Sequence, residues 1–441
     1  MNKGIEESID ISPETALPSS EKANDFAEIT HPADVFLHWE QISVQASELR
    51  KRWEELWGSA FTLAPTTIRS GDDTAKRWRH GSKGDKLSLF DHLWPILTPM
   101  FQAKVERFTS PLVRERTSSE IETKEALDVA VGMASVKRLD LSFQDIADLD
   151  QENTLKFWEH CLEVAQLLDI GSVSLHLPFL GPDIQHGSTN LPSSYNISGY
   201  IPDRETQILR EQGVNVEQEK AKRAEAALLA GRKLIRWYRE MRQRHQLSAE
   251  PVYVTTHFAS INPQTFLSEQ DFQRGLSNLQ QLQEEAAGEL IFLVETQGLL
   301  YEQFDRLQEQ KVGMVFDITH MIIEEQVYGG WRRVLQLIRQ HAEAGLPAVI
   351  HFSQPGVVGN RPTDAHDSPT VAGFFSNFQQ QELLLLAAEY NIPVTGEFEF
   401  SGADVKHIIE LHPAMVFLRM IRNAFTGVIK ANSIEATDTV R

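Results

Sequence analysis

Six short runs of aliphatic and β-branched residues recur along the chain, each followed by a polar loop and then a long amphipathic segment. They are Ser172 to Leu177, Val252 to His257, Leu290 to Glu295, Gly313 to Asp317, Ala348 to His351 and Val394 to Glu397. Strands that alternate with helices read as repeated βα units, because parallel neighbours need a long crossover to return the chain to the same edge. Asp128 to Met133 and Arg138 to Phe143 supply two further candidate strands, the second followed by a helical pattern from Gln151 to Leu168. Eight strands close a barrel. The expected fold class is therefore α/β, a (β/α)8 TIM barrel with an N-terminal helical extension, rather than a doubly wound sheet. No GxGxxG or GxxxxGK[ST] follows a strand, which removes the main support for dinucleotide and P-loop readings.

The rest of the 441 residues divides by composition. Residues 1–30 combine Ser, Pro, Glu and Asp with few aromatics, the composition of a disordered tail. Residues 31–125 read as the helical extension, with Phe36, Trp39, Ile42, Leu49, Trp53, Leu56 and Trp57 at helical spacing and a second helix over Leu87 to Arg107. Between them Lys76, Arg77, Trp78, Arg79, His80, Lys83 and Lys86 read as a solvated loop. The barrel is expected over 126–430 and a short tail over 431–441. Within the barrel, a loop beginning at Pro178 is expected to cover the mouth, before a helix from Arg204 to Arg244.

Charge and cysteine content narrow the chemistry. Cys161 is the lone cysteine, so an intramolecular disulfide, a thiolate cluster and a CxxC zinc site are excluded and any metal must be held by His, Asp and Glu. The formal charge of −20 repels polyanions at long range and disfavours DNA. No apolar run is long enough to span a bilayer, and Met1 to Ser20 lacks the pattern of an export signal, so no membrane partner and a cytoplasmic location are expected.

Each of the six strands ends in, or next to, a side chain able to bind a divalent ion: His176, His257, Glu295, Asp317, His351 and Glu397. In a parallel barrel those positions share one rim, where βα loops build active sites. Such groups are costly to leave unpaired beside a core, and a metal cluster satisfies them together. His320, one turn beyond Asp317, and Asp364 with His366 lie just past the strand ends. Nitrogen and oxygen donors suit zinc, manganese or iron. Nine donors exceed the needs of one ion, so two or three ions are expected, with Glu295 bridging. His186, His341, His407 and His412 fall outside this pattern and read as surface or core histidines.

The segments His176-Leu-Pro-Phe, His257, Val294-Glu295-Thr296, Phe316-Asp317-Ile-Thr-His320, Val349-Ile350-His351, Asp364-Ala-His366 and Ile392-Pro393 to Glu397 together resemble the xylose-isomerase-like TIM-barrel superfamily. Within it the fullest resemblance is to endonuclease IV, the family 2 apurinic endonucleases. That resemblance implies one ion on His176, His257 and Glu295, a second on Glu295, Asp317, His351 and Glu397, and a third on His320, Asp364 and His366. Glu399, on the same strand face as Glu397, is an alternative ligand or a supporting partner. Sugar and sugar-phosphate isomerases and epimerases resemble the chain in Glu295, Asp317, His351 and Glu397, using one ion. Multinuclear non-haem iron oxidases resemble it in Thr363-Asp364-Ala-His366-Asp367-Ser-Pro369 and Thr256-His257-Phe258, although Thr296 and His320 stand where those enzymes carry asparagine. Arg361 is the obvious cation in the motif loops, fewer than a DNA backbone usually meets.

The expectation is a metal-dependent enzyme with Glu295 and Glu397 as catalytic carboxylates. Its leading activity is endonuclease IV-like hydrolysis of a phosphoester, with a small-molecule or phosphoester substrate. Isomerase or epimerase chemistry, an iron-dependent oxidation and a non-catalytic scaffold docked through its N-terminal helices are the alternatives.

Overall fold

The computed structural model describes residues 51, 54–57, 63–64, 68–69, 138–143, 145–152, 154–156, 158–159, 162, 172–186, 189–245, 251–259, 267–324, 328–358, 361–368, 370, 374–396, 407–408 and 411–413. Its strands are β1 (Leu63–Ala64), β2 (Ile68–Arg69), β3 (Arg138–Ser142), β4 (Ser172–His176), β5 (Leu180–His186), β6 (Thr189–Ser194), β7 (Val252–Thr256), β8 (Leu290–Glu295), β9 (Met314–Asp317), β10 (Ala348–Phe352), β11 (Gln354–Val358), β12 (Arg361–Asp367) and β13 (Val394–Gly396). The helices are α1 (Asp203–Glu211), α2 (Val216–His245), α3 (Glu269–Ala286), α4 (Tyr301–Glu309), α5 (Ile318–Ile323), α6 (Trp331–Glu343) and α7 (Asn377–Glu389).

The main sheet runs β1-β13-β10-β9-β8-β7-β4-β3-β2 and is parallel at every pairing. β1 pairs with β13 at one edge and β2 with β3 at the other, yet both belong to residues 63–69. The sheet thus curls into a nearly closed barrel of seven strands, with the short strands Leu63–Ala64 and Ile68–Arg69 at its two edges in the eighth place. The fold is an α/β TIM barrel with helices outside.

The alternation along each strand sorts its side chains. On β8, Phe292 and Val294 join the large core shared with the helices, whereas Leu293 packs with Val315 of β9 and Val349 of β10, flanked by Tyr253 and Ile291. The second cluster fills the barrel lumen. Packing at the barrel's base is close: a Cβ on Gly313 would lie 2.4 Å from Leu293 Cδ2 and 2.9 Å from the Pro347 carbonyl oxygen.

Four features differ from the sequence expectation. The eighth position is taken by residues 63–64 and 68–69, within the stretch read as a helical extension, while Asp128 to Met133 lies outside the described residues. Leu63-Ala64-Pro65-Thr66-Thr67-Ile68-Arg69 hides its strands because Pro65 lacks a ladder donor and no alternating pattern survives the interruption. The loop after His176 is largely a hairpin, β5 against β6, and the helix expected over Arg204 to Arg244 is split near Gly213, whose φ is +73°. Asp364 and His366, expected on a loop, lie on β12, paired antiparallel with β11.

Within the stretch read as the extension, residues 51 and 54–57 are helical as the spacing implied, and Trp57 is buried with its ring edge-on to His412, the centroids 4.8 Å apart. Its place is in the core. The tails, the Leu87 to Arg107 helix and the basic loop lie outside the described residues. No helix among the described residues is long and apolar enough to cross a membrane.

Candidate metal centre

Side chains two residues apart on a strand share a face. Glu295, Asp317 and His351 stand two positions beyond Leu293, Val315 and Val349, so they form the next layer of the lumen, at the strands' C-terminal ends. His176 ends β4 two positions beyond Ser174, whose hydroxyl donates to Asp140 at 2.7 Å, and His257 follows β7 directly. Strand periodicity and parallel register therefore deliver five donor side chains to one rim.

They assemble as two groups sharing a member. His176, His257 and Glu295 form the first; Glu295, Asp317 and His351 form the second; within each, the ligand atoms lie within 4.8 Å of one another. Glu295 Oε2 is 3.5 Å from His257 Nε2 and 3.9 Å from His176 Nε2, and His351 Nδ1 stands 3.9 Å from the same oxygen. Glu295 is 3% exposed, and His176, Asp317 and His351 are likewise buried, with His257 partly open. Phe179, at the foot of the β5–β6 hairpin, packs on both imidazoles of the first group at 5.4 and 5.0 Å between centroids.

The donor chemistry fits a cation. His176 Nδ1 is 3.0 Å from the Leu177 carbonyl oxygen, which only accepts, so this nitrogen carries the proton of the neutral ring and Nε2 is left as an acceptor. That Nε2 faces His257 Nε2 at 3.0 Å beside a carboxylate oxygen. Lone pairs so close to an anionic oxygen are stabilised by a positive charge between them, whether proton or metal, and two imidazoles with a carboxylate are a usual ligand set for zinc and its neighbours.

The remaining expected donors are placed as follows. His320 sits on α5 with Nε2 3.3 Å from Asp317 Oδ2 and 3.0 Å from Gln297 Nε2, and belongs to neither group. Asp317 also caps α5, accepting from the His320 backbone N–H at 2.8 Å. The backbone of Asp364 and His366 lies on β12, which reaches the rim through β11, the strand that follows β10; their side chains, that of Arg361, and all of Glu397 and Glu399 lie outside the described set. His341 is a core histidine on α6, edge-on to Phe316 at 5.4 Å, and His407 bonds Gln380 at 3.1 Å.

Three residues that the sequence reading left out support the rim. Gln297, buried at 3% exposure, sets Oε1 3.2 Å from His257 Nδ1 and Nε2 3.0 Å from His320 Nε2. Glu324 accepts from the Gly298 backbone N–H at 3.1 and 3.3 Å; burial pushes its carboxyl up to about 7, against the lowering effect of that hydrogen bond. The Tyr328 hydroxyl donates to the Thr296 carbonyl. The available signal was Gln297-Gly298 itself, an amide beside a turn glycine directly after a strand-ending acid. A cavity of about 670 Å³ lies elsewhere, beside the β5–β6 hairpin, and its Arg223 is engaged by Glu205 and Glu219.

No protein-family model matches the chain, and no curated protein matches it. Among solved structures it is similar to the crystal structure of a xylose isomerase domain protein from Planctomyces limnophilus, with 14% sequence identity and a TM-score of 0.34, over 67% of this chain and 93% of that one.

Proposed function

We propose that this barrel is a metal-dependent hydrolase of small phosphoesters, built around two divalent ions that share Glu295. One observation carries the reading: the Glu295 carboxylate belongs to both donor groups, as a bridging ligand of a two-ion centre must. Bound there, the ions would supply Lewis acidity toward a phosphoryl oxygen and a water activated at neutral pH.

The chain's own residues set the rest. His176, His257 and Glu295 would hold the first ion; Glu295, Asp317 and His351 would hold the second, with Glu397, two residues beyond Thr395, proposed to complete it. Glu295 fixes the spacing of the two positions, and Glu295 and Glu397 are the carboxylates proposed to act on the reacting atoms. Phe179 shields one flank of the imidazoles from water, which strengthens electrostatic interactions inside. The formal charge of −20 favours a small ester over a nucleic acid.

The test is hydrolysis of p-nitrophenyl phosphate, bis(p-nitrophenyl) phosphate and an abasic DNA duplex by protein loaded with zinc, manganese or iron. Turnover of a small ester that disappears in folded Glu295→Ala supports the reading. Failure with all three metals, alongside aldose–ketose interconversion, replaces it with isomerase chemistry.

A further inference from the structure

Gln297 lies between two imidazoles that it could not serve in the same way. Its carboxamide has one face that accepts and one that donates, and it is buried where neither end can turn to water. The backbone on either side is pinned: the Tyr328 hydroxyl holds the Thr296 carbonyl, and Glu324 holds the Gly298 N–H, with Gly298 in the left-handed region at φ +68°. The backbone N–H of Leu267 also donates to the Gly298 carbonyl at 3.2 Å. What remains free to change is the rotation of the amide.

The two orientations of that amide imply two hydrogen-bond networks. With Oε1 toward His257, as it stands, His257 holds its proton on Nδ1 and turns an acceptor Nε2 toward His176 Nε2, 3.0 Å away. His320 then accepts from the amide through its own Nε2, so it has no proton there to give to Asp317 Oδ2 at 3.3 Å. This arrangement gathers acceptors in both donor groups and is stabilised by cations. With the amide reversed, His257 donates from Nε2 to His176, and His320 donates from Nε2 to the amide oxygen and toward Asp317. That arrangement closes on itself with no cation. Each ring keeps one proton throughout, moved from one of its nitrogens to the other, so no net proton is taken up.

We propose that Gln297 is a positioning residue that couples the two ion positions: loading either position favours the first network, the one in which the amide stands, over the reversed one and so prepares the other. This rests on the two-ion reading above. An ion on His176, His257 and Glu295 requires His257 Nε2 as an acceptor; that selects the amide orientation that stands, in which His320 does not donate to Asp317, and leaves the second group open to its ion. Linkage makes the effect reciprocal, and couplings of this kind change affinity by about 5- to 150-fold.

The experiment is calorimetric titration of the chelator-stripped full chain with zinc, for the natural sequence, Gln297→Leu and Gln297→Glu. The expected result is cooperative uptake of two ions by the natural protein, with the second bound more tightly than the first. Gln297→Leu should bind independently and weaken the first ion by about 10- to 100-fold, the usual cost of losing a partner that orients a ligand. Gln297→Glu, which still accepts from His257 but has no amide to donate to His320, should restore first-ion affinity and leave uptake non-cooperative. Independent uptake by the natural protein, or cooperativity unchanged in Gln297→Leu, overturns the proposal while leaving the two-ion centre standing. Absence of zinc binding by the natural protein overturns both. Should the variants not fold, long-range 1H–15N spectra of histidine-labelled natural protein decide the matter: His257 and His320 moving together to the Nδ1–H form on zinc addition supports the coupling, and an unchanged His320 overturns it.

Discussion

His176 and His257 face one another Nε2 to Nε2 at 3.0 Å, although 81 residues separate them in the chain. Register explains the meeting. β4 and β7 are adjacent and parallel, with His176 opposite Thr255, so the residue two places beyond Thr255 arrives at the same side of the same rim. The first prediction follows from the charge this pair calls for. Chelation should lower the melting temperature and added zinc or manganese should raise it, by about 2.7 kcal/mol of stability at a hundredfold excess over Kd. His176→Ala and His257→Ala should each lose the part of the gain that comes from the first group and keep the part from the second, measured by calorimetric scans with and without metal.

Glu295 contributes to both groups, so its loss should remove two ions rather than one. Elemental analysis of Glu295→Ala purified without chelator should show both lost, whereas His257→Ala should retain the ion of the second group. Activity should fall in Glu295→Ala by more than the roughly 100-fold expected for a residue that merely orients a ligand. Retention of one full equivalent in Glu295→Ala would exclude a shared carboxylate.

Glu324 gives a pH dependence of defined sign. Its folded pKa of about 7 lies above the ordinary 4.5, so the folded state keeps a proton that the unfolded chain releases. The contribution to stability is present below about pH 4.5 and is lost as pH rises through about 7. In chelator, Glu324→Gln, which keeps an acceptor for the Gly298 N–H but cannot ionise, should match the natural protein near pH 4.5 and exceed it above pH 7, by up to about 3 kcal/mol. Parallel melting curves across that range would show that Glu324 does not titrate as burial dictates.

His341 has the opposite sign. Burial against Phe316 pulls its pKa from 6.5 down to about 4, partly countered by the bond to the Pro347 carbonyl. Its contribution is present above about pH 6.5 and lost as pH falls through about 4. His341→Gln, which retains a donor for that carbonyl, should lose less stability on acidification from pH 6.5 to 4, read from denaturant midpoints at each pH.

Gly313 tests the closeness of the barrel's base. A methyl group there meets Leu293 at 2.4 Å and a backbone carbonyl at 2.9 Å, so Gly313→Ala should cost about 1–3 kcal/mol through overpacking. Urea unfolding checks the value, and Leu293→Val in the same chain should recover part of it.

Much of this molecule was legible from residue order. Strand runs of β-branched residues separated by helical segments gave the barrel, because the period of the apolar pattern reports which face each residue turns to the core. The acids and histidines at the strand ends gave the rim, because parallel strands carry their C-terminal ends to one side. Legibility stopped where pairing rather than patterning decides. The sequence from Leu63 to Arg69 has no strand period around Pro65, and only the bonds of residues 63–64 to β13 and of 68–69 to β3 make those residues part of the sheet. Gln297 carries no metal-ligand signature, and it matters because the turn at Gly298 sets it between His257 and His320.

The sequence by itself determined the α/β class, the order of the βα units and which side chains end the strands, since these depend on local propensity and on periodicities of two and 3.6. Tertiary structure alone decided that Glu295 joins both donor groups, that residues 63–64 and 68–69 pair with opposite edges of the sheet, and that His320 faces an amide. Those facts depend on register and closure between residues tens to hundreds of positions apart, which local pattern does not encode.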